Sequence, residues 1–293
     1  MAIIQKIVPF LWFDHQAEEA IQLYTTVFPD SQIQQLVRNG DAVLTASFTL
    51  HGQSFVALNG GPMFKFNPSI SFYTICESET ESDEVWQKLS EGGSVLMPYN
   101  KYPWSEKYGW LVDRYGVSWQ ITVGKIADLG QKFTPALMFT GEQHGRAEEA
   151  LNYYSSIFKN SGTQLISRYP AGGRDPEGTI NHAQFRLEKQ MFIVMDSAME
   201  HPFQFNEALS LVISCDTQAE IDFFWDKLTA DGGVESQCGW VKDKFGVSWQ
   251  IVPPVLSQLL GDANVQKSQQ VMQAMLKMRK LDIALLQQAY DHE

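Results

Sequence analysis

Residues 109–121 read GWLVDRYGVSWQI, and residues 239–251 read GWVKDKFGVSWQI. A match of that length is hard to reach by chance, and it makes Trp119 and Trp249 equivalent positions. Upstream of it the rest of the chain pairs up in the same order. VWQKL from Val85 matches FWDKL from Phe224, AEEAIQLYTTVF from Ala17 matches AEEALNYYSSIF from Ala147, and PFLWF from Pro9 matches PALMF from Pro135. The chain is therefore a tandem duplication of a unit of ~125 residues, the size of one ordinary domain. The copies span residues 1–127 and 133–254, and residues 255–293 form a tail.

Within the first copy, residues 7–13 form an apolar run that reads as a strand. Ala17, Ala20, Ile21, Tyr24 and Phe28 then recur at helical spacing, and Pro29 stops the helix. Residues 43–50 and 53–58 alternate in polarity on either side of His51-Gly52, a hairpin signal. A second round follows: a strand over 70–76, a helix over 81–90 ending at Gly92-Gly93, and strands near Val95, over 109–113 and over 117–123. Each copy thus reads βαβββ twice.

The 293 residues, 44% of them hydrophobic, suffice for two compact cores. No long apolar run is present, and the first residues lack the pattern of a signal peptide, so a cytoplasmic location is expected. Three cysteines cannot form a paired framework, and Cys76 and Cys215 occupy equivalent strand positions, which suits buried reduced thiols. A formal net charge of −12 with no basic stripe argues against nucleic acid and against an anionic membrane surface as partners.

The paired βαβββ modules, AEEA-x-x-x-Y-x-x-x-F on the first helix and D-[RK]-[YF]-G-V-S-W-Q-I on the final strand resemble the glyoxalase or vicinal-oxygen-chelate superfamily. More narrowly they resemble its PhnB-like branch, which carries a demethylubiquinone methyltransferase label. The resemblance covers both copies and extends to the tail. It implies an α+β fold of two tandem domains, each made of two βαβββ modules whose curved mixed sheets surround a cup, followed by a helical tail. It also implies a pseudo-dimer within one chain, with the copies packed about a pseudo-twofold axis and further homodimerisation open. It does not imply one activity, since the superfamily hosts isomerases, dioxygenases, thiol transferases and drug-sequestering proteins.

Metal-using members place His and Glu ligands on the first and last strands of the modules. By alignment those positions hold Pro9 and Pro135, Ser71 and Ser210, and Gln120 and Gln250 here. Proline has no donor, serine is a poor ligand, and a lone glutamine oxygen holds zinc or iron weakly. No metal ligand and no cofactor are expected, with a divalent metal as the alternative.

The strand from Ile180 has Ala183, Phe185 and Leu187 alternating with His182, Gln184 and Arg186, so the polar trio shares one face. In the first copy those positions are Thr45, Ser47 and Thr49. The second cup is therefore the candidate site, with His182 as acid–base group and Gln184, Arg186, Ser210, Ser248 and Gln250 as ligand-binding residues. An anionic or carbonyl-bearing small molecule is the expected guest. Two other segments stand out. Arg168 and Arg174 flank Gly172-Gly173, a candidate anion nest or a plain connection. The segment MPYNKYPWSEKY from Met97, with Tyr99, Tyr102, Trp104 and Tyr108, is a candidate cup lid or an interdomain contact. Of the other histidines, His15, His51 and His144 fall in turns, His201 in a loop and His292 in the tail.

The leading functional expectation is a small-molecule-binding protein, metal-free, with acid–base work by His182. The alternatives are a metal-dependent lyase, isomerase or dioxygenase of the superfamily, a methyltransferase, and a structural protein with vestigial cups. Methyl transfer lacks support in the residues, because no glycine-rich strand-to-helix loop followed by an acidic residue occurs.

Overall fold

The computed structural model describes residues 5–291, so His292 lies outside it. Four βαβββ modules follow one another. The first comprises β1 (Ile7–Phe13), α1 (Ala17–Val27), β2 (Gln32–Asn39), β3 (Ala42–Leu50) and β4 (Gln53–Asn59). The second comprises β5 (Ile70–Cys76), α2 (Glu79–Ser90), β6 (Ser94–Tyr102), β7 (Ser105–Val112) and β8 (Ser118–Val123). A short helix, α3 (Ile126–Leu129), joins the copies. The third module comprises β9 (Phe133–Phe139), α4 (Ala147–Ile157), β10 (Gly162–Arg168), β11 (Ile180–Leu187) and β12 (Gln190–Asp196). The fourth comprises β13 (Leu209–Ser214), α5 (Gln218–Thr229), β14 (Val234–Glu235), β15 (Trp240–Lys242) and β16 (Ser248–Val252). The tail is α6 (Pro254–Leu260), α7 (Val265–Met275) and α8 (Ile283–Asp291). Among the described residues no helix is long and apolar enough to cross a membrane.

Two eight-stranded mixed sheets result. Sheet I has the order β14-β15-β16-β13-β1-β4-β3-β2, and sheet II the order β10-β11-β12-β9-β5-β8-β7-β6. By contacts the chain divides into two compact units, one of residues up to Phe10 with those from Ser210 onward, the other of residues 11–209. Sheet II lies wholly in the second unit. Its centre is the antiparallel pair β5–β9, with Ser71 opposite Ala136 and Tyr73 opposite Thr134. Sheet II therefore joins the second module of the first copy to the third module, which belongs to the second copy. This corrects the expectation that each copy closes its own cup. Alternation along a strand fixes which face a side chain takes, but not which of four similar central strands lies alongside.

A reciprocal pair of ion bridges follows this exchange. Lys132, before β9, is 1% exposed and bonds Glu81 on α2. Its repeat equivalent Lys6, before β1, bonds Glu220 on α5 at 3.0 Å. Each bridge thus joins a lysine of one copy to a glutamate of the other.

The repeated motif is structural. Asp113 Oδ1 accepts the N–H groups of Tyr115 and Val117, and its Oδ2 accepts the Trp119 indole at 2.9 Å and the Tyr24 hydroxyl at 2.7 Å. Asp243 accepts Phe245 N–H, Val247 N–H and the Trp249 indole in the same way. Gly116, at φ +93, makes the turn between them. Trp119 then packs on Tyr24 of α1, on Phe28 just after that helix and on Phe72 of β5. Gly109 leaves room for the Trp86 ring, which a Cβ would meet at 2.4 Å.

The helix-side face of sheet II is the apolar one, as expected: Ala183, Phe185 and Leu187 are fully buried. Pro135 pairs with Phe72 and so takes this face too, which removes it from the cup position assigned to it by alignment. The edge strands β2 and β10 escape the sequence pattern because their residues are mostly exposed and only weakly alternating. In the tail, Leu256, Leu259, Val271, Leu281 and Leu286 form a core of their own, with Met275 and Met278 packed against it.

Candidate functional site

The other face of sheet II is concave-side by alternation. Ser71 and Tyr73 on β5, Gln120 and Thr122 on β8, Tyr108 on β7, Thr134 on β9, Met191 and Ile193 on β12, and His182 and Gln184 on β11 share it through the register pairs. His182 and Tyr73, three strands apart in the sheet order, meet across this face with ring centroids 6.1 Å apart and planes at 61°. Only curvature of the sheet brings them so close. Gln184 lies 3.0 Å from His182, amide nitrogen to Nε2. With that nitrogen donating, Nε2 accepts and the ring proton sits on Nδ1.

The floor is a closed polar chain. The Tyr108 hydroxyl donates to Gln120 Oε1 at 2.8 Å, and Gln120 Nε2 donates to Ser71 Oγ at 2.8 Å. Burial holds the His182 imidazole below its ordinary pKa, so it is neutral near pH 7. Burial likewise pushes the Tyr73 phenol up, opposed by a hydrogen bond with Thr122. Both groups face the cup uncharged and able to exchange hydrogen bonds.

Three sequence-derived assignments need correction. Ser210, Ser248 and Gln250 stand on β13 and β16 of sheet I, whereas His182 stands on β11 of sheet II. There Gln250 Nε2 donates to Ser210 Oγ at 3.0 Å, repeating the Gln120–Ser71 bond, while the buried Ser248 Oγ has no partner. Arg186, on the same face as His182 by register, is exposed, and its Nε donates to the Asn160 carbonyl at the sheet's outer edge. It brings no charge into the cup. Arg168 is held by Glu148 at 2.7 Å and by the Gly178 carbonyl, so the candidate anion nest loses one of its two cations. Glu18 pairs with Arg38 equivalently.

The aromatic segment from Met97 is the β6–β7 hairpin, and its rings divide. Tyr99 stacks on Trp86 on the helix side, whereas Tyr102 and Trp104 stack together and lean on Tyr108 at the cup. Ser105, the first residue of β7, hydrogen-bonds Thr122 at 2.9 Å.

Tyr73 is the site residue the sequence reasoning did not assign, and Tyr108 entered there only as part of the candidate lid segment. Their signal lies in the repeat: Tyr73 aligns with Val212, Tyr108 with Cys238, His182 with Thr45 and Gln184 with Ser47. Two aromatic hydroxyls in one copy and an imidazole–amide pair in the other are asymmetric features that sheet II unites. Among the described residues, no group of three or more His, Cys, Asp or Glu side chains is placed to hold a metal ion.

This architecture, paired βαβββ modules in curved eight-stranded sheets, is the glyoxalase fold. The chain belongs to the family described as 3-demethylubiquinone-9 3-methyltransferase, which it matches over residues 5–122 and again over 131–252. It is similar to the PhnB protein of Bacillus cereus, described under the same activity, with 43% identity over 41% of this chain and 100% of that one, at a TM-score of 0.40. A Staphylococcus aureus protein is 34% identical over 42% of this chain and 99% of its own, at a TM-score of 0.19. Maize glyoxalase I, 10% identical, covers 88% of this chain and 98% of its own with a TM-score of 0.56, a likeness of fold. No curated protein matches the chain. Two repeats in one chain fit a pseudo-dimer.

Proposed function

We propose that the concave face of sheet II binds a small, largely uncharged organic molecule bearing a carbonyl or hydroxyl group, and that His182 exchanges a proton with it. The observation that carries this reading is the meeting of Tyr73 with the His182–Gln184 pair on one face, each contributed by a different copy. With Gln184 on Nε2, the Nδ1 N–H is the group that hydrogen-bonds and polarises a guest's oxygen, and Tyr73 offers a second donor; His182 takes a proton from the guest only when the Gln184 amide releases Nε2, whose lone pair then accepts it. Met191 and Ile193 supply apolar wall. The outward course of Arg186 disfavours the anionic guest.

The reading is metal-free. Ser71 and Gln120 bond each other, the Gln120 oxygen already accepts from Tyr108, and neutral hydroxyl and amide groups bind zinc or iron poorly. Elemental analysis finding about one transition metal per chain after dialysis would overturn that part. We place the protein in the reducing cytoplasm, in keeping with the buried thiols Cys76 and Cys215.

Calorimetric titration with 4-alkylphenols and simple aryl ketones tests the site. His182→Ala and Tyr73→Ala are each expected to weaken binding by about tenfold, the value of one or two hydrogen bonds, while Thr45→Ala and Ser47→Ala leave it unchanged. Equal losses in both pairs, or none in the first, refute the assignment.

A further inference from the structure

The segment joining the two copies does more than connect them. Leu129 and Ile126 of α3 pack with Ile75, Met191 and Tyr73, and Ile75, Tyr73 and Met191 all belong to the concave face of sheet II. Leu129 is 8% exposed and Met191 6%. The helix thus crosses the end of the cup where β5 and β8 finish and β9 and β12 begin, touching the ring that stands over His182.

It is pinned from both copies. Ile126 N–H donates to Glu77 Oε1 at 3.3 Å on the first copy's side, and Gln164 of β10 donates to the Asp128 carbonyl at 3.1 Å on the other. Gly130, at φ +70, ends the helix with its N–H on the Ile126 carbonyl and turns the chain back into the sheet. Directly after it Gln131 anchors the return, donating to the Phe133 and Met191 carbonyls and accepting the Met191 N–H. A segment held at both ends and in the middle is a fixed wall.

We infer that α3 is a specificity element of the site: Leu129 and Ile126 close the Tyr73 end of the cup and limit how far a guest extends past Tyr73. This rests on the ligand-site reading above.

The test is a chain-length series, 4-methylphenol to 4-heptylphenol, titrated against the full-length protein and the variants Leu129→Ala, Ile126→Ala, Leu129→Met and His182→Ala. Wild type is expected to lose affinity beyond a definite chain length. Leu129→Ala removes ~three carbon atoms from the wall and should move that limit outward by about two or three carbons, with longer members binding at least about tenfold tighter. Leu129→Met conserves volume and should keep the wild-type limit. Ile126, at the half-buried rim, provides the same shift if Leu129→Ala does not fold. An unchanged limit in both alanine variants, with His182→Ala still weakening binding, overturns the wall while sparing the site. Binding of no phenol to any variant, or binding indifferent to His182, overturns both.

Discussion

The Lys132–Glu81 bridge offers a direct test of which modules share a sheet. Glu81→Gln leaves the Lys132 ammonium, 1% exposed, without its counter-charge, and an unpaired buried charge costs about 3 kcal/mol. Lys132→Met removes the buried charge. It leaves behind a carboxylate that is 26% exposed and still accepts the Glu77 N–H at 2.7 Å, so its cost is about 1 kcal/mol. The double variant has no charge left to strand and should lose only about 1 kcal/mol, which gives a coupling of about 3 kcal/mol. Urea denaturation followed by tryptophan fluorescence measures each free energy, with separate midpoints fitted if the two compact units unfold apart. Glu220→Gln serves as the second arm. If the copies closed independent domains, Lys132 would pair with Glu220, its partner within the same copy. Coupling of Lys132 to Glu220, or a Lys132–Glu81 coupling below about 0.5 kcal/mol, would refute the shared sheet and with it the assembled site.

Three further outcomes are expected. Asp113→Asn should cost about 3–4 kcal/mol, because an amide nitrogen beside the Trp119 indole strands a buried donor that the Oδ2 oxygen now satisfies; a urea midpoint near wild type contradicts this. Because burial lowers the folded-state pKa of His182, the unfolded chain binds its proton first, so His182 adds stability above the unfolded value of about 6.5 that is lost as pH falls below it. His182→Gln should therefore flatten the decline in stability between about pH 7 and 5, and an unchanged slope counts against a buried neutral imidazole. Thiol titration of the native protein should modify the half-buried Cys238 first, while Cys76 and Cys215, pushed up to about 12 by burial, react only on unfolding. Faster labelling of Cys76 than of Cys238 would show that α2 does not seal the sheet.

Much of the fold was legible because duplication doubled every signal. The GVSWQI strands, the AEEA helices and the apolar face of β11 all lie where their periodicity indicates. What escaped has identifiable causes. The edge strands QIQQLVRN and GTQLISR bury little, so neither carries a clean alternation. Module exchange escaped because β1, β5, β9 and β13 are all apolar central strands, and nothing local distinguishes one neighbour from another. That single ambiguity explains the misplaced site residues: His182 and Gln184 take the expected face, while Ser210, Ser248 and Gln250 went to a different sheet with their module.

The exchange also changes what the asymmetry between the copies means. Read copy by copy, Tyr73 and Tyr108 in one and His182 and Gln184 in the other are two unrelated departures from a common ancestor. Read sheet by sheet, all four fall on one concave face, and their counterparts Val212, Cys238, Thr45 and Ser47 are smaller and untitratable near neutral pH apart from a thiol whose burial raises its pKa. Drift in each copy would have no reason to place its polar gains in the same sheet. Selection on one shared cup would, since a ring on β5 and a ring on β11 act together only where the sheet brings them within 6.1 Å. The unlike halves of this duplication thus argue for one working site assembled from both copies, with the join between them as part of its wall.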